Sequence, residues 1–291
     1  MQKLQCELCG SVDIVKTADN LFQCQHCGCK YTLEQARYLV QGKVTAVQPD
    51  FTICAGKLVK YNGEPTDVEI PLNVKIIGAN AFRDCSGMTQ VHIPNGVTSI
   101  EKGAFFGCTG LTSIILPDSV TSIAEDAFAF CVNLASIQIP DGVTTIGDGA
   151  FSKCRNLSVV DIPNTVSSIG RSAFFGCTSL SAIAIPEGIT SINHCVFYGC
   201  SNLTKVSLPH SVEFIESGAF EDCKKLSDIV IPTNINSIRY GAFRNCTFMH
   251  RRHKARQCIY CGGKLTFFGT GCKKCRMPVY SEKLGCYTDW C

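Results

Sequence analysis

Cysteine is the residue of this chain whose chemistry is most open to question. The 291 residues include 21 cysteines, and sixteen of them fall into two regular arrangements. Eight form two quartets, each built from two CxxC pairs with 14 or 10 residues between the pairs. The quartets are Cys6, Cys9, Cys24 and Cys27, then Cys258, Cys261, Cys272 and Cys275. The other eight recur every 23 residues, at Cys85, Cys108, Cys131, Cys154, Cys177, Cys200, Cys223 and Cys246.

The quartets have the spacing of zinc sites. A two-residue gap lets each pair curl round a metal ion, and four thiolates at about 2.3 Å form a closed tetrahedral site. Gly10, Gly28 and Gly262 follow the pairs where a tight knuckle needs a small residue. A closed site leaves no position for a reactive water, so we expect two structural zinc ions that fold short segments. His26 is an alternative ligand for the first ion. We expect Cys286 and Cys291 to be plain tail residues, with a role as extra thiols for the second ion as the alternative.

The periodic cysteines present four alternatives, namely a metal ligand, a disulfide partner, a nucleophile or a core residue. Stacked repeats put neighbouring Cα atoms about 4.8 Å apart, within disulfide range. Side chains in register point in parallel, however, which suits the required dihedral angle of about 90° poorly. No histidine recurs beside these cysteines to activate them. We therefore predict reduced thiols that pack in the core and hydrogen-bond a turn carbonyl.

The elements that position these cysteines repeat with the same period. An Ile/Leu-Pro pair begins at residue 70 and returns every 23 residues to 231, and an Ala-Phe pair follows each time, with Val196-Phe197 in one copy. Such a fixed period predicts stacked coils that share one core. Residues 111–116 alternate as a short strand that a proline ends, 97–100 supply a second extended piece, and the Ala-Phe turn directs Phe inward. Eight coils give a stack roughly 35–40 Å long.

The repeat IPxxVxxIxxxAFxxCxxLxxIxI resembles the BspA-like leucine-rich repeat family of bacteria over about residues 66–247. The segment 51–71 is similar to the cap that begins such arrays, and both quartets resemble bacterial zinc ribbons. The resemblance implies a right-handed solenoid used for binding, usually of other proteins, in members that are commonly surface-exposed. The predicted fold class is therefore a repeat solenoid, mainly β with short turns and helical pieces, with two small zinc-ribbon domains.

Four domains are predicted from these patterns. Residues 1–43 form an N-terminal zinc ribbon with a short helix, and 44–69 form the N-terminal cap of the solenoid. Residues 70–249 form the leucine-rich repeat solenoid of eight 23-residue coils. Residues 250–291 form a basic linker and the C-terminal zinc ribbon.

Two further sequence properties bear on location. The first ten residues carry no apolar segment of a signal peptide, and no run of about 18 apolar residues occurs anywhere. We therefore expect a cytoplasmic protein without a membrane span. The net charge of +3 and the pI of about 8.0 are too mild to imply nucleic acid by themselves.

The outward side of the first strand in each coil is the predicted partner-binding face, because alternation along a strand exposes every second residue. The predicted contact residues are Gln90, His92, Ser113, Ile115, Ser136, Gln138, Val159, Asp161, Lys205, Ser207, Asp228 and Val230. We expect a protein partner in an extended conformation; the alternative is a merely solvated sheet face. His92 and Asp161 lie three coils apart, about 14 Å. No common catalytic motif occurs, so we predict that the chain is not an enzyme.

Two other functions stay open at this point. Residues 250–256 read HRRHKAR, and clustered basic residues beside zinc ribbons favour phosphate contacts. The ribbon segments contain aromatic residues that are able to stack on bases, namely Phe22, Tyr31, Phe267 and Phe268. A nucleic-acid-associated protein is therefore one alternative to a protein-binding scaffold, and a secreted or surface adhesin is the other.

Overall fold

The computed structural model describes residues 14–17, 22–25, 30–31, 50–64, 66–247, 280–281 and 286–287. Near the N-terminus, β1 (Ile14–Lys16), β2 (Phe22–Cys24) and β3 (Lys30–Tyr31) form an antiparallel sheet in the order β1-β2-β3. An antiparallel hairpin of β4 (Phe51–Cys54) and β5 (Lys57–Tyr61) precedes the repeats. Within the described residues, no helix has the length and hydropathy needed to span a bilayer.

Sixteen short strands follow, two in each coil. They are β6 (Asp67–Glu69), β7 (Ile76–Ile77), β8 (Gln90–His92), β9 (Ser99–Ile100), β10 (Ser113–Ile115), β11 (Ser122–Ile123), β12 (Ser136–Gln138), β13 (Thr145–Ile146), β14 (Val159–Asp161), β15 (Ser168–Ile169), β16 (Ala182–Ala184), β17 (Ser191–Ile192), β18 (Lys205–Ser207), β19 (Phe214–Ile215), β20 (Asp228–Ile229) and β21 (Ser237–Ile238). A separate antiparallel pair comprises β22 (Tyr280–Ser281) and β23 (Cys286–Tyr287).

The even-numbered strands from β6 to β20 line one parallel ladder and the odd-numbered strands from β7 to β21 a second one, and each ladder is divided into two hydrogen-bonded sheets. The register is 23 residues throughout, as in the pairs Ile114 with Ile137 and Ile123 with Ile146. The hairpin joins the second ladder through β5, which pairs with β7. The structure is thus a β-solenoid of about eight turns, and β6, inside the segment predicted as a cap, already pairs with β8 as the first rung.

The core consists of columns in which every coil contributes the same side chain. Seven phenylalanines from Phe82 to Phe220 are fully buried, and Phe243 is 3% exposed. Consecutive rings of the column lie 5.0–5.6 Å apart with interplanar angles of at most 12°. Stacked aromatic pairs contribute about 0.5–1.5 kcal/mol beyond their buried area. The predicted inward Phe, the two extended pieces and the proline at the strand end are all present.

Two residues in each coil have a left-handed backbone, which bends the Ala-Phe turn sharply. One precedes the repeat cysteine, with φ from 58° to 72°, and the other precedes the Ala-Phe pair, with φ from 54° to 72°. Gly, Asn and Asp occupy most of these positions because they adopt this conformation at low cost. Phe130 and Lys153 do so at φ of 61° each, a local strain that the surrounding columns stabilise.

Both strand ladders are interrupted at one place, between β14 and β16 and between β15 and β17. Elsewhere the carbonyl of the inward Ile accepts a backbone N–H of the next coil, as Ile77 does from Glu101 at 2.9 Å. At the interruption Asn193 donates its side-chain amide to the Ile169 carbonyl instead, at 2.7 Å. The turns still connect across this point, because the Phe174 N–H donates to the Val196 carbonyl at 3.0 Å. The interruption is therefore local to the strands.

Removing one ring from the buried column should destabilise the whole array. We expect Phe151→Ala to lower the free energy of unfolding by about 3–5 kcal/mol, because it leaves a cavity between two stacked rings. Urea denaturation followed by circular dichroism measures this. The matched control is Phe130→Ala, which removes a ring that is 43% exposed and should change stability by less than about 1 kcal/mol. Equal losses in both variants would contradict the stacked core.

Candidate functional site

The predicted metal ligands fall almost entirely outside the described residues. Cys6, Cys9 and Cys27 of the first quartet lie there, as do all four cysteines of the second: Cys258, Cys261, Cys272 and Cys275. Cys24 is described, is fully buried and ends β2, immediately before the exposed turn residue Gln25. A cysteine at the buried end of a strand that leads into a turn fits the first position of a metal-binding knuckle. The described residues contain no cluster of metal-ligating side chains.

The periodic cysteines act as hydrogen-bond donors inside the core. Each thiol from Cys108 to Cys246 donates to the carbonyl of the column phenylalanine 26 residues earlier, with Sγ–O distances of 2.9–3.2 Å. The acceptor lies in the preceding coil, so every thiol bonds two neighbouring coils together. The predicted hydrogen bond to a turn carbonyl is confirmed. None of these eight cysteines takes part in a disulfide, whereas Cys54 on β4 is disulfide-bonded.

Burial makes these thiols poor nucleophiles. It raises the pKa of Cys154, Cys177 and Cys223 well above the ordinary value, and that of Cys200 to about 12. The thiolate is the reactive form of cysteine, and it carries a charge that the apolar core does not solvate. These four thiols therefore keep their protons at neutral pH, which agrees with a structural role.

Cys85 departs from the predicted column. It lies in the first coil, where no earlier Ala-Phe turn supplies an acceptor, and its side chain is only partly buried. Its sulfur lies 4.0 Å from the Arg83 carbonyl of its own turn. Burial still raises its pKa, to about 11. The prediction of eight equivalent core cysteines is thus wrong for this position, because a coil at the start of the stack has a neighbour on one side only.

Cys195 is a partly buried thiol of the repeats that lies beside a histidine, since its Sγ is 3.3 Å from His194 Nε2. Its backbone has a φ of 54°, which identifies it as the left-handed residue before the Ala-Phe slot. Burial and the nearby Glu221 carboxylate raise its pKa. An activated nucleophile requires the opposite shift, so this pair does not form a catalytic dyad.

The predicted partner-binding face is present as an outward row of side chains on the even-numbered strands. The structure places Gln90, His92, Ser113, Ile115, Ser136, Gln138, Val159, Asp161, Lys205, Ser207 and Val230 on the exposed side. Asp228 occupies the equivalent register position, opposite Lys205 on the neighbouring strand. Ile115, Val230 and Val159 are 79%, 77% and 56% exposed, respectively, which is high for large apolar side chains. We call this row, together with the proline-containing loops that follow the strands, the strand face.

The strand face is acidic although the chain as a whole is basic. Its described part carries six exposed carboxylates, on Asp67, Glu69, Asp118, Asp141, Asp161 and Glu187. The basic residues are Lys205 on β18 and, at the margin beside Gly96, Lys75. His92 lies 3.6 Å from Asp67, measured between Nε2 and Oδ1. His92 is thus paired with Asp67, a carboxylate of the adjacent coil, and Asp161 is not part of this pair.

Two open hollows indent the strand face. One has a volume of about 240 Å³ and lies between β8 and β10, where Gln90, His92 and Ile115 line it. The other has a volume of about 350 Å³ and lies between β12 and β14, where Ser136, Gln138 and Asp161 line it. Neither encloses a small molecule, because both open to solvent along the face. Sequence reasoning missed them, since it treated all coils as alike.

The turns on another side of the coil carry a second row of large side chains. Arg83 lies over the Phe106 ring and Lys153 over the Phe175 ring, at 4.1 and 4.3 Å from the ring centroids. Phe175 also stacks on Tyr198 with centroids 4.9 Å apart. Because these groups cover each other's faces, the row stabilises the turns and offers few free ring faces for a ligand. The strand face is therefore the better candidate for a binding site.

Comparison with known proteins gives a consistent result. The family model described as BspA type leucine rich repeat region matches in six copies, over residues 60–181 and 145–272. The structure is similar to that of the leucine rich repeat protein of T. pallidum, with 34% identity, a TM-score of 0.57 and coverage of 59% of this chain and 83% of that one. A leucine rich cell surface protein from Faecalibacterium prausnitzii shows 21% identity and a TM-score of 0.39, with coverage of 81% and 90%. No curated protein matches the chain.

The thiol column predicts an unusual dependence of stability on pH. Burial raises the native pKa of Cys154, Cys177, Cys200 and Cys223, so their contribution to stability is complete below the unfolded pKa of about 8.5 and is lost as the pH rises above it. We expect the free energy of unfolding to fall above about pH 9, by about 1.4 kcal/mol per pH unit for each buried thiol. Urea denaturation between pH 7 and 10 measures the slope. Cys154→Ala with Cys200→Ala should make it shallower by about twice that amount, and an unchanged slope would contradict this account.

Proposed function

Because the chain belongs to the BspA type leucine rich repeat family, we propose that it is a non-enzymatic scaffold that binds another protein through its strand face. The observation that carries this proposal is the row of exposed side chains on the even-numbered strands, with large apolar residues such as Ile115 and Val159 among small polar ones. An exposed apolar side chain on a regular sheet gains free energy when a partner covers it. Solenoids use such continuous surfaces for recognition.

Charge decides between a protein and a nucleic acid as the occupant of this face. Phosphate backbones require clustered Lys and Arg, whereas the strand face carries six carboxylates against two lysines. Nucleic acid is therefore disfavoured there. The nucleic-acid alternative depends on the basic segment 250–256, which lies outside the described residues, and on the two ribbon segments, so it concerns the segments that flank the repeats.

We also propose that the two quartets bind structural zinc ions, and that the flanking segments are zinc ribbons. The CxxC spacing and the buried position of Cys24 at the end of β2 support this. Bound zinc would supply folding free energy to segments with few core residues. The cytoplasmic location expected from the sequence stays a prediction.

Substitutions on the strand face test the proposed binding. A tagged chain and its Ile115→Lys/Val159→Lys variant are used to capture proteins from extracts of the source cells, and bound proteins are quantified by mass spectrometry. We expect the variant to capture at least about tenfold less of a specific partner than the unaltered chain does, because the lysines replace exposed apolar contacts.

The matched control places two lysines on the other ladder, at the exposed Thr98 and Thr144, which lie two coils apart. This Thr98→Lys/Thr144→Lys variant should capture the partner normally. Circular dichroism verifies that both variants are folded. A partner that is retained equally by all three chains would place binding elsewhere and overturn the proposal.

Elemental analysis tests the zinc proposal. Protein purified without chelators should contain about two zinc ions per chain, since each quartet closes one tetrahedral site. Cys24→Ser and Cys258→Ser should each remove one ion, whereas Cys195→Ser, a change in the repeats, should remove none. Zinc-free protein with normal folding would refute the proposal.

A further inference from the structure

The two hollows of the strand face are the same feature repeated after two coils. Eight of the nine residues that line the first hollow have a counterpart 46 residues later in the second, as Gln90 has in Ser136 and Asn95 in Asp141. The two hollows are therefore spaced by 46 residues, which is twice the length of the repeat. Applied once more, the same offset predicts a third position between β16 and β18, with Glu187 and Lys205 on its rim.

The loops beside the hollows repeat with the same 46-residue spacing. After the proline, glycine alternates with a hydroxyl residue, in the order Gly96, Ser119, Gly142, Thr165, Gly188 and Ser211. Each hydroxyl donates back to a carbonyl of the preceding coil, Ser119 to Val97 at 2.6 Å, Thr165 to Val143 at 2.9 Å and Ser211 to Ile189 at 2.8 Å. The coils are thus clamped in pairs, and each described hollow lies within one pair.

The spacing of the hollows restricts the conformation of an occupant that runs along the stack. Neighbouring parallel strands are about 4.8 Å apart, so two coils separate equivalent hollows by about 9.6 Å. A polyproline II segment rises about 3.1 Å per residue with three residues per turn, which repeats its side-chain positions every 9.3 Å or so. A β-strand repeats a face every 6.8 Å or so. An α-helix presents residues seven apart at about 10.5 Å, and that mismatch grows to about 2 Å over three hollows.

Charge then specifies the side chains that enter the hollows. Asp141 and Asp161 both line the second hollow, and Asp67 stands 3.6 Å from His92 at the first. The exposed Glu187 continues the acidic row towards the third position. Carboxylates in an open hollow pair with lysine or arginine and gain more when the aliphatic stem of that side chain packs on neighbours such as Val159 and Ile162.

We infer that the strand face takes a basic protein segment in the polyproline II conformation, running along the stack with every third side chain, a lysine or arginine, seated in successive hollows. This inference rests on the proposed function, because it specifies the partner of the same face. The hollows fix the register of the segment, and the exposed apolar residues that line them, such as Ile115 and Val159, contact its proline rings.

Two synthetic peptides of equal composition test the register. One is (Lys-Pro-Pro)6 and the other is (Lys-Pro-Lys-Pro-Pro-Pro)3, in which half of the lysines leave the three-residue period. Each carries a fluorescent label, and its anisotropy is titrated with the full-length chain at about 50 mM salt. We expect the regular peptide to bind about tenfold more tightly, because three consecutive lysines of it meet the three hollows, whereas the other peptide places lysines in at most two of them. Equal affinities would overturn the inference.

Two matched variants test the hollow itself. Asp141→Asn/Asp161→Asn removes two charges from the second hollow, and Asp84→Asn/Asp148→Asn removes two exposed charges from the Ala-Phe turns. We expect the first variant to weaken binding of the regular peptide about tenfold and the second to leave it nearly unchanged. Equal weakening by both would show attraction to net charge alone and refute the role of the hollow. Capture of a cellular partner that depends on Ile115 and Val159 would in that case still support the proposed function.

Discussion

The equal length of the coils is the constraint on which the rest of the structure depends. The backbone N–H of each column phenylalanine from Phe82 to Phe220 donates to the next coil, at 2.7–3.0 Å, and the carbonyl of the same residue accepts the thiol of that coil. Both polar groups of the most buried residue are therefore satisfied between coils. A coil of another length would displace both bonds and the ring stack together, so the buried residues hold one another in register.

The sequence predicted the parts of the fold that this constraint repeats. The columns of Phe, Ile and Cys were readable because the same residue type returns in the same slot eight times. The left-handed position before the Ala-Phe pair could not be predicted from the sequence, because residues as different as Asn80, Ser172 and Cys195 share a backbone conformation there. The strand interruption was also missed, since it depends on whether the Asn193 side chain or its backbone reaches the Ile169 carbonyl. The exposure of this row was predicted correctly. Its hollows were not predicted, because all coils were treated as equivalent.

Stability and recognition reside on different sides of the coil. The turns carry the thiol bonds, the left-handed residues and the cation–aromatic stacks, so nearly every group there already has a partner within the chain. Outside the interruption between β14 and β16, the ladder pairs the backbone of the strand face, and the outward side chains stay exposed with their carboxylates grouped. Residues on that face can be substituted with little effect on folding. The specificity for a partner can therefore evolve on that side of the coil.

The clamps between paired loops have a consequence for how such a gene can grow. Unequal recombination that inserts a single 23-residue unit would preserve every buried column, yet it would place glycine next to glycine, or hydroxyl next to hydroxyl, in the loop series. Duplication of a 46-residue block would preserve the alternation as well. Where function depends on the outer surface, homologous proteins should therefore differ in length by two coils at a time. Where only the buried core is under selection, they are free to differ by a single coil.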